Sequence, residues 1–349
     1  MREAIPRQIG ADPGVSGGIT RLAYARAQQA GIALAPLLKK AGLRESQIAD
    51  AGARFGARNQ IQFLNLVAQA LPDELLGFRL AQLADLREIG LLYYVAASSQ
   101  LLGDALRRAA RYSKVVNEGI AVGYAEDNEV AVRFNYVGVS RALDRHQIEF
   151  LITTFIRLCW QLAGQRLTPL RARFTHHRSV DTDELHSIIG CRAEFGAPVD
   201  EVAFPAAIAR LPVTGADPYL NKLLVAHFDE ALSRRPPIHG AFASDIENAI
   251  APLLPHGQAR ASEISSRLGM SQRTLARRLS QEGMTFSGIV ERLRSALAEQ
   301  YLKDPKLSVS QVAWLLGYQE VSAFTHACRR WTGKTPREIR ADQDSAANN

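Results

Sequence analysis

The sequence predicts two domains of different class: an α+β domain, then an all-α domain that holds two helix-turn-helix units. Three observations carry this. Strand-like alternation of apolar and polar residues is confined to positions upstream of Ser233. The stretch Ser233-Arg-Arg-Pro-Pro-Ile-His-Gly240 breaks the pattern, because a Pro-Pro pair cannot continue a helix. Downstream, every apolar run has helical spacing, and one short grammar occurs twice.

A chain of 349 residues suits two domains, and 47% hydrophobic with 22% charged residues is ordinary for a globular protein with a real core. No run of about 18 apolar residues is present, which argues against a membrane span. Residues 1–18 carry Arg2 and Arg7, then turn Gly/Pro/Ser-rich without an apolar stretch of signal-peptide length. They are expected to be a disordered leader on a cytoplasmic protein. Cys159, Cys191 and Cys328 are odd in number and far apart, with no Cys-x-x-Cys pair. Neither a disulfide framework nor a metal site follows from them, and each is expected in the core. No cofactor is expected.

The apolar positions of Ile61 to Leu86 and of Ile148 to Leu162 recur at helical spacing. Between them, Gly119–Tyr124 and Val130–Phe134 flank Glu126-Asp-Asn-Glu129 and predict a β-hairpin. Leu170 to Thr175, Arg192 to Phe195 and Glu201 to Phe204 add short strands. The first domain therefore spans 19–232, and 233–243 is a linker. From 244 to 340 helices are expected at Ile246–Leu254, Ala261–Leu268, Ser271–Gln281, Phe286–Leu302, Val309–Leu316, Val321–Thr332 and Pro336–Arg340, joined by short connections. The polar tail 341–349 is expected to be disordered.

The charge follows the same division. The formal net charge is +7, and Gln258 to Arg340 holds 14 Lys+Arg against 7 Asp+Glu, which accounts for all of it. A neutral domain joined to a basic one suggests that the second meets a polyanion.

The repeated grammar lies in that basic region. The segments Ala261–Leu279 and Val309–Trp331 each place a small residue, Ser265 or Ala313, four positions before a glycine, Gly269 or Gly317. A helix-turn-helix needs both: the small residue lets the second helix pack close, and the glycine takes a turn conformation that a Cβ obstructs. In the first unit Ser271 is a good N-cap, and Leu275 with Leu279 points inward. Arg273, Thr274, Arg277 and Arg278 then face out. In the second unit Phe324, Ala327, Cys328 and Trp331 give the inward face, leaving Ser322, Thr325, His326, Arg329 and Arg330 outside. Arginine clamps guanine bidentately in the major groove, and hydroxylated or small side chains touch thymine methyls or either base edge. An arginine-rich helix is by itself only a solvated face. Two units 48 residues apart, joined by one long helix and carrying the charge excess, are far more specific.

The C-terminal segment resembles the DNA-binding domain of the AraC/XylS family of bacterial regulators. The resemblance rests on Gly317-Tyr-Gln-Glu-Val-Ser-Ala-Phe-Thr-His-Ala-Cys-Arg-Arg-Trp-Thr-Gly-Lys-Thr-Pro-Arg-Glu-Ile-Arg340 and its Thr-Gly-Lys-Thr-Pro ending. It implies two recognition helices that enter successive major grooves on one face of double-stranded promoter DNA. Base reading then falls on Arg273, Thr274 and Arg277 in the first unit and on Val321, Ser322 and His326 in the second. His326 stands where relatives often carry arginine. Phosphate anchoring falls on Ser271, Arg278, Arg329, Arg330, Lys334 and Thr335.

The first domain resembles the arabinose-binding-type regulatory domain of ornithine-utilisation-type regulators in that family. Gly90–Leu106, Cys191–Val199, Ala203-Phe-Pro205 and Asp217-Pro-Tyr-Leu220 carry this likeness. It implies effector sensing or dimerisation, and so a homodimer with a small-molecule effector and, for an activator, RNA polymerase as partner. No membrane partner is expected. Tyr93, Tyr94, Arg111, Tyr112, Arg145 and His146 are candidates to line a pocket for a small polar molecule, although packing and surface ion pairs account for the same residues.

Other features are read as structural. Ala30–Gly42 looks like a further helix-turn-helix but holds Pro36 and no arginine-rich second helix. Asp181, Asp183 and His186 look like metal ligands, yet Asp181 with Glu184 fits a helix N-cap. His176-His177-Arg178 is read as a polar strand end.

An enzyme is the least favoured alternative. A DNA-alkyl-repair protein needs clustered cysteines, which the chain lacks, and a hydrolase-like sensor needs a working nucleophile elbow. A ligand-independent architectural or global DNA-binding regulator is the remaining rival.

Overall fold

The computed structural model describes residues 12–178, 183–233 and 242–347. They fall into two compact units, Met1–Val139 with Asp144–Ala241, and Ser140–Leu143 with Phe242–Asn349. The return of residues 140–143 to the second unit is a departure from the predicted continuous span 19–232. The reason is local: the Arg141 N–H donates to Asn248 Oδ1 at 2.7 Å, and Ala142 packs on the second core. Of the predicted linker, residues 234–241 lie outside the described residues, while 242 and 243 are already helical.

The first unit is α+β. β1 (Gly14–Ser16) pairs antiparallel with β2 (Arg54–Gly56). The helices α1 (Gly18–Gln29), α2 (Leu34–Ala41), α3 (Glu45–Ala49), α4 (Ala57–Ala70) and α5 (Leu76–Leu83) build its first half. α6 (Leu91–Ala97) and α7 (Leu102–Val116) follow. The hairpin β3 (Ile120–Glu126) and β4 (Glu129–Tyr136) comes next, then the long helix α8 (His146–Ala163). β5 (Arg171–Phe174), α9 (Asp183–Ile189), β6 (Ala193–Phe195), β7 (Asp200–Pro205) and α10 (Pro218–Ser233) complete it.

β1 overturns the disordered reading of residues 12–18; residues 1–11 lie outside the described residues. Val15 is buried against the core, the Gly14 N–H donates to Glu118 Oε2 at 2.9 Å, and Arg54 donates to the Gly14 carbonyl at 2.8 Å. Apolar burial and two side-chain hydrogen bonds hold a segment whose composition looked loose. The single helical run Ile61–Leu86 is two helices, broken at Leu71-Pro-Asp-Glu-Leu75, where proline cannot continue the ladder.

Five strands form one sheet in the order β3-β4-β7-β5-β6, antiparallel except for β5 with β6. One face carries Val130, Val132, Phe134, Phe174, Val202 and Phe204 into the core with Ile148, Ile152, Phe155 and Cys159 of α8. Glu201 is buried on β7, opposite Arg133 on one neighbour and Arg173 on the other. Arg133 and Arg171 donate to its two oxygens at 2.7 and 3.0 Å. That register lets one buried carboxylate be satisfied by flanking guanidinium groups, as a buried charge requires.

The second unit is all helix. α11 (Phe242–Ile250) leads into α12 (Ala261–Arg267) and α13 (Gln272–Gln281). α14 (Phe286–Leu302) separates them from α15 (Val309–Leu315), α16 (Val321–Thr332) and α17 (Pro336–Ala347). Ile289, Leu293 and Leu297 of α14 share one core with Ile264, Leu275 and Leu279 of the first pair and with Val312, Leu316, Phe324 and Cys328 of the second. Helix α17 runs past the predicted end at Arg340 into the expected disordered tail. Ala341–Ala347 contains no glycine or proline, and the helix starts at a good cap: Thr335 and Glu338 exchange hydrogen bonds at 2.7 to 3.3 Å. All three cysteines are buried with free thiols, and burial pushes the Cys191 thiol up to about 11.

Candidate nucleic-acid interface

Both turns of the second unit have the same hydrogen bonds. The Gly269 N–H donates to Ser266 O at 3.0 Å and the Met270 N–H to Ser265 O at 2.9 Å. At the other turn Gly317 donates to Trp314 O at 2.8 Å and Tyr318 to Ala313 O at 2.9 Å. Each is a Schellman closure, with glycine in the left-handed region at φ 64° and 79°. The four-residue spacing read in the sequence is thus the distance from the carbonyl that receives the outer bond to the left-handed residue. Ser265 and Ala313 are small because they sit in the core, at 4% and 1% exposure.

The turn aims a second helix outward in each unit. Ser271 caps α13, accepting from the Thr274 N–H at 3.2 Å, and the two hydroxyls lie 3.0 Å apart. Leu275 and Leu279 are buried, whereas Arg273, Arg277 and Arg278 are exposed and Thr274 is half-buried. Among the described residues the side chains of Arg273 and Arg277 have no hydrogen bond or ion pair, so both guanidinium groups stand open to a ligand. Arg278 lies over the Phe242 ring, 5.4 Å from its centroid.

In α16, Phe324, Ala327 and Cys328 are buried, and Val321, Ser322 and His326 are exposed. Trp331, expected inside, is only half-buried, packed against Tyr318. The phosphate candidates divide. Arg329 is exposed, whereas Arg330 is ion-paired to Glu291 of α14 and Lys334 Nζ lies 2.6 Å from Asp342. Thr335 spends its hydroxyl and N–H on the α17 cap. Arg294 was not singled out in the sequence, yet its Nε donates to the Leu316 carbonyl at 2.9 Å and its guanidinium lies over Tyr318. Only the return of the second turn onto α14 gives it that role.

The six effector candidates of the first unit are not brought together. Tyr112 is buried, stacks on Phe228 at 4.8 Å and donates to Asp229 at 2.9 Å, while Arg111 pairs with the same carboxylate at 2.8 Å. They fasten α7 to α10. Tyr94 is exposed, with its ring edge-on to Tyr93. Arg145 precedes α8, and His146 is buried with Nδ1 3.6 Å from Glu149. Of the six, Tyr93 alone lines a cavity of about 170 Å³ found among the described residues of this unit.

The strand-end reading of His176-His177-Arg178 is also corrected. β5 stops at Phe174, and His176 and Arg178 turn inward onto the fully buried Glu149, with His176 Nε2 at 2.9 Å and the Arg178 guanidinium in contact. Burial pushes the Glu149 carboxyl up, but the Arg178 guanidinium, the His146 ring 3.6 Å away and the hydrogen bond with His176 outweigh it and hold it well below the usual range. A lone acid in the apolar run Ile148–Leu162 was the signal for this site. Asp181 lies outside the described residues, Glu184 is bound by Arg79 instead, and the described residues hold no metal-binding cluster. The segment Ala30–Gly42 is the turn that follows α1 and then α2, with Leu38 and Ala41 in the core. Among the described residues no helix is long and apolar enough to cross a membrane.

Comparison with known proteins gives this geometry its context. Residues 31–213 match the model of the arabinose-binding domain of AraC transcription regulators, and 264–342 match a helix-turn-helix domain model. The chain is 29% identical over 286 residues to the HTH-type transcriptional regulator VirS of Mycobacterium tuberculosis, covering 80% of this chain and 83% of VirS. It is 27% identical over 279 residues to the ornithine utilization regulator of Pseudomonas aeruginosa, covering 79% and 82%. The crystal structure of the transcriptional regulator CdpR from Pseudomonas aeruginosa aligns over 92% of this chain and 97% of that one, with TM-score 0.44 and 19% identity. These relatives are regulators rather than enzymes, and the chain belongs to the AraC family of DNA-binding transcription regulators, with an arabinose-binding-type N-terminal domain and a C-terminal helix-turn-helix domain.

Proposed function

We propose that α13 and α16 read successive major grooves of a promoter, using Arg273, Thr274 and Arg277 in one and Val321, Ser322 and His326 in the other. The carrying observation is the matched pair of Schellman turns, each followed by a helix with one buried and one open polar face. Two such readers multiply their selectivity, because base contacts at separate positions add. Arg278 and Arg329 supply sequence-independent attraction to phosphate. Ser271, Arg330, Lys334 and Thr335 join them only where DNA displaces or shares their present partners.

The N-terminal unit is read as the controlling domain, taking a small-molecule effector and pairing two chains in the cytoplasm. Support for a homodimer comes from α10, where Tyr219, Leu220 and Leu223 are exposed on a helix of one unit. For an activator, the bound dimer recruits RNA polymerase. An effector acts only by favouring one arrangement of the protein over another.

The test is a footprint on DNA upstream of this gene and its neighbours, comparing wild type with Arg273→Ala and His326→Ala. Protection of two adjacent major grooves, each weakened by a different substitution, is the expected result. Uniform, salt-sensitive coating that ignores both substitutions defeats the proposal and favours an architectural binder.

A further inference from the structure

We infer that the cavity of the N-terminal unit binds a small, uncharged, mainly apolar molecule with one hydrogen-bonding group, and does not bind a sugar, an amino acid or a carboxylate. This rests on the reading of that unit as the effector domain and names the chemistry of its ligand.

The cavity holds about 170 Å³ and opens between α1, the turn 84–89, α7, the β3–β4 hairpin and α8. An apolar cavity of roughly 150 Å³ takes up benzene, so the volume suits a single ring or a short chain. Its walls are side chains such as Ile19, Leu22, Ile120, Phe134, Leu151 and Leu158. A sugar or zwitterion would surrender several hydrogen bonds to water here and find few in return.

Charge on the wall narrows the class further. No lysine, arginine or histidine is among the lining residues; the two charged ones are Asp85 and Glu88, both exposed. Asp85 is already paired with Arg87 at 2.7 Å. A bound carboxylate would find no cation on the wall itself, because Arg87 is already engaged by Asp85, and a buried ion without a partner is strongly disfavoured.

Among the buried polar side chains of the wall, one is open. Gln60 is spent: its Oε1 accepts from Thr20 at 2.8 Å and its Nε2 donates to Gln147 at 2.6 Å. Thr154 on α8 also lines the cavity, is 7% exposed, and its hydroxyl has no hydrogen-bond partner among the described residues. A buried hydroxyl without a partner inside an otherwise apolar wall is what a ligand with one polar group would satisfy.

The experiment is calorimetric titration of the full chain with benzyl alcohol, toluene, benzoate and L-arabinose. Benzyl alcohol is expected to bind at least tenfold more tightly than benzoate, with no detectable heat from arabinose. Thr154→Val keeps the shape and removes the hydroxyl, so it should weaken benzyl alcohol several-fold and leave toluene unchanged. Ser113→Phe, which fills the cavity from α7, should abolish both. Benzoate or arabinose binding as tightly as benzyl alcohol overturns the inference, as does unaltered binding to folded Ser113→Phe. Absence of binding by either neutral probe to folded wild type also overturns it. Ligand binding that leaves promoter affinity unchanged upholds the cavity's chemistry and instead overturns the reading of the unit as a controlling domain.

Discussion

Gly317 faces the backbone carbonyl of Leu254: a Cβ placed on Gly317 would lie 2.3 Å from that oxygen. Gly269, its counterpart in the first turn, has nothing within 4 Å of the same position. Both glycines are in the left-handed region, so both turns require glycine for backbone conformation, but only the second also requires it for space.

The two substitutions to alanine should therefore differ. Gly269→Ala should cost about 1–2 kcal/mol, the penalty for a Cβ in the left-handed region. Gly317→Ala adds a backbone collision and should cost about 1–3 kcal/mol more. Denaturant unfolding of the two variants checks this, and equal losses would show that the Leu254 carbonyl moves away freely.

Arginines of different standing should fail differently. Arg273→Ala and Arg277→Ala should each lose about 1–3 kcal/mol of base discrimination at one position of the site. Arg329→Ala should weaken binding to all sequences alike and reduce the slope of log K against log salt by about 0.9. Binding isotherms on specific and scrambled duplexes at several salt concentrations separate the two.

Arg330 is held by Glu291, both half-exposed or more. Glu291→Gln should release the guanidinium, strengthen non-specific DNA binding and steepen the salt slope by about 0.9, with stability changed by no more than about 1 kcal/mol. An unchanged slope would mean that Arg330 does not reach phosphate.

Ser271 distinguishes capping from contact. Glycine caps nearly as well as serine, whereas alanine costs about 1 kcal/mol. Ser271→Ala should lower the melting temperature and Ser271→Gly should not. A loss of DNA affinity in both would assign the hydroxyl to phosphate as well.

Glu149 should make the first unit acid-sensitive. Its folded pKa lies well below its ordinary value, so its stabilisation is complete above about pH 4.5 and is lost as pH falls through the folded value. Glu149→Gln should remove that part of the pH dependence and destabilise by about 3–5 kcal/mol, because Arg178 is left buried without its counter-charge. Unfolding from pH 3 to pH 7 tests both statements.

The sequence by itself determined the two helix-turn-helix units and the helix that joins them. Local rules suffice there: glycine at a left-handed position, a serine cap at Ser271, and an apolar stripe at helical spacing place α13, α14 and α16 within a residue of their predicted bounds. The five strands of the larger sheet of the first unit were also legible from their alternation. Their order was not, because pairing β7 between β4 and β5 depends on residues far apart in the chain. Likewise β1 looked like a loose leader until Arg54 and Glu118 reached it.

Tertiary structure alone decided which polar residues are spent and which are open. Arg330 looks like Arg273 and Arg277 in sequence, yet it is paired with Glu291. Tyr112 and His146 looked like pocket residues and are packing elements, while the cavity is walled, apart from Tyr93, by side chains that the sequence did not single out as pocket residues. The reason is physical. Turn and helix signals are properties of neighbouring residues, whereas an ion pair or a cavity is a property of surfaces that meet only after the chain has folded.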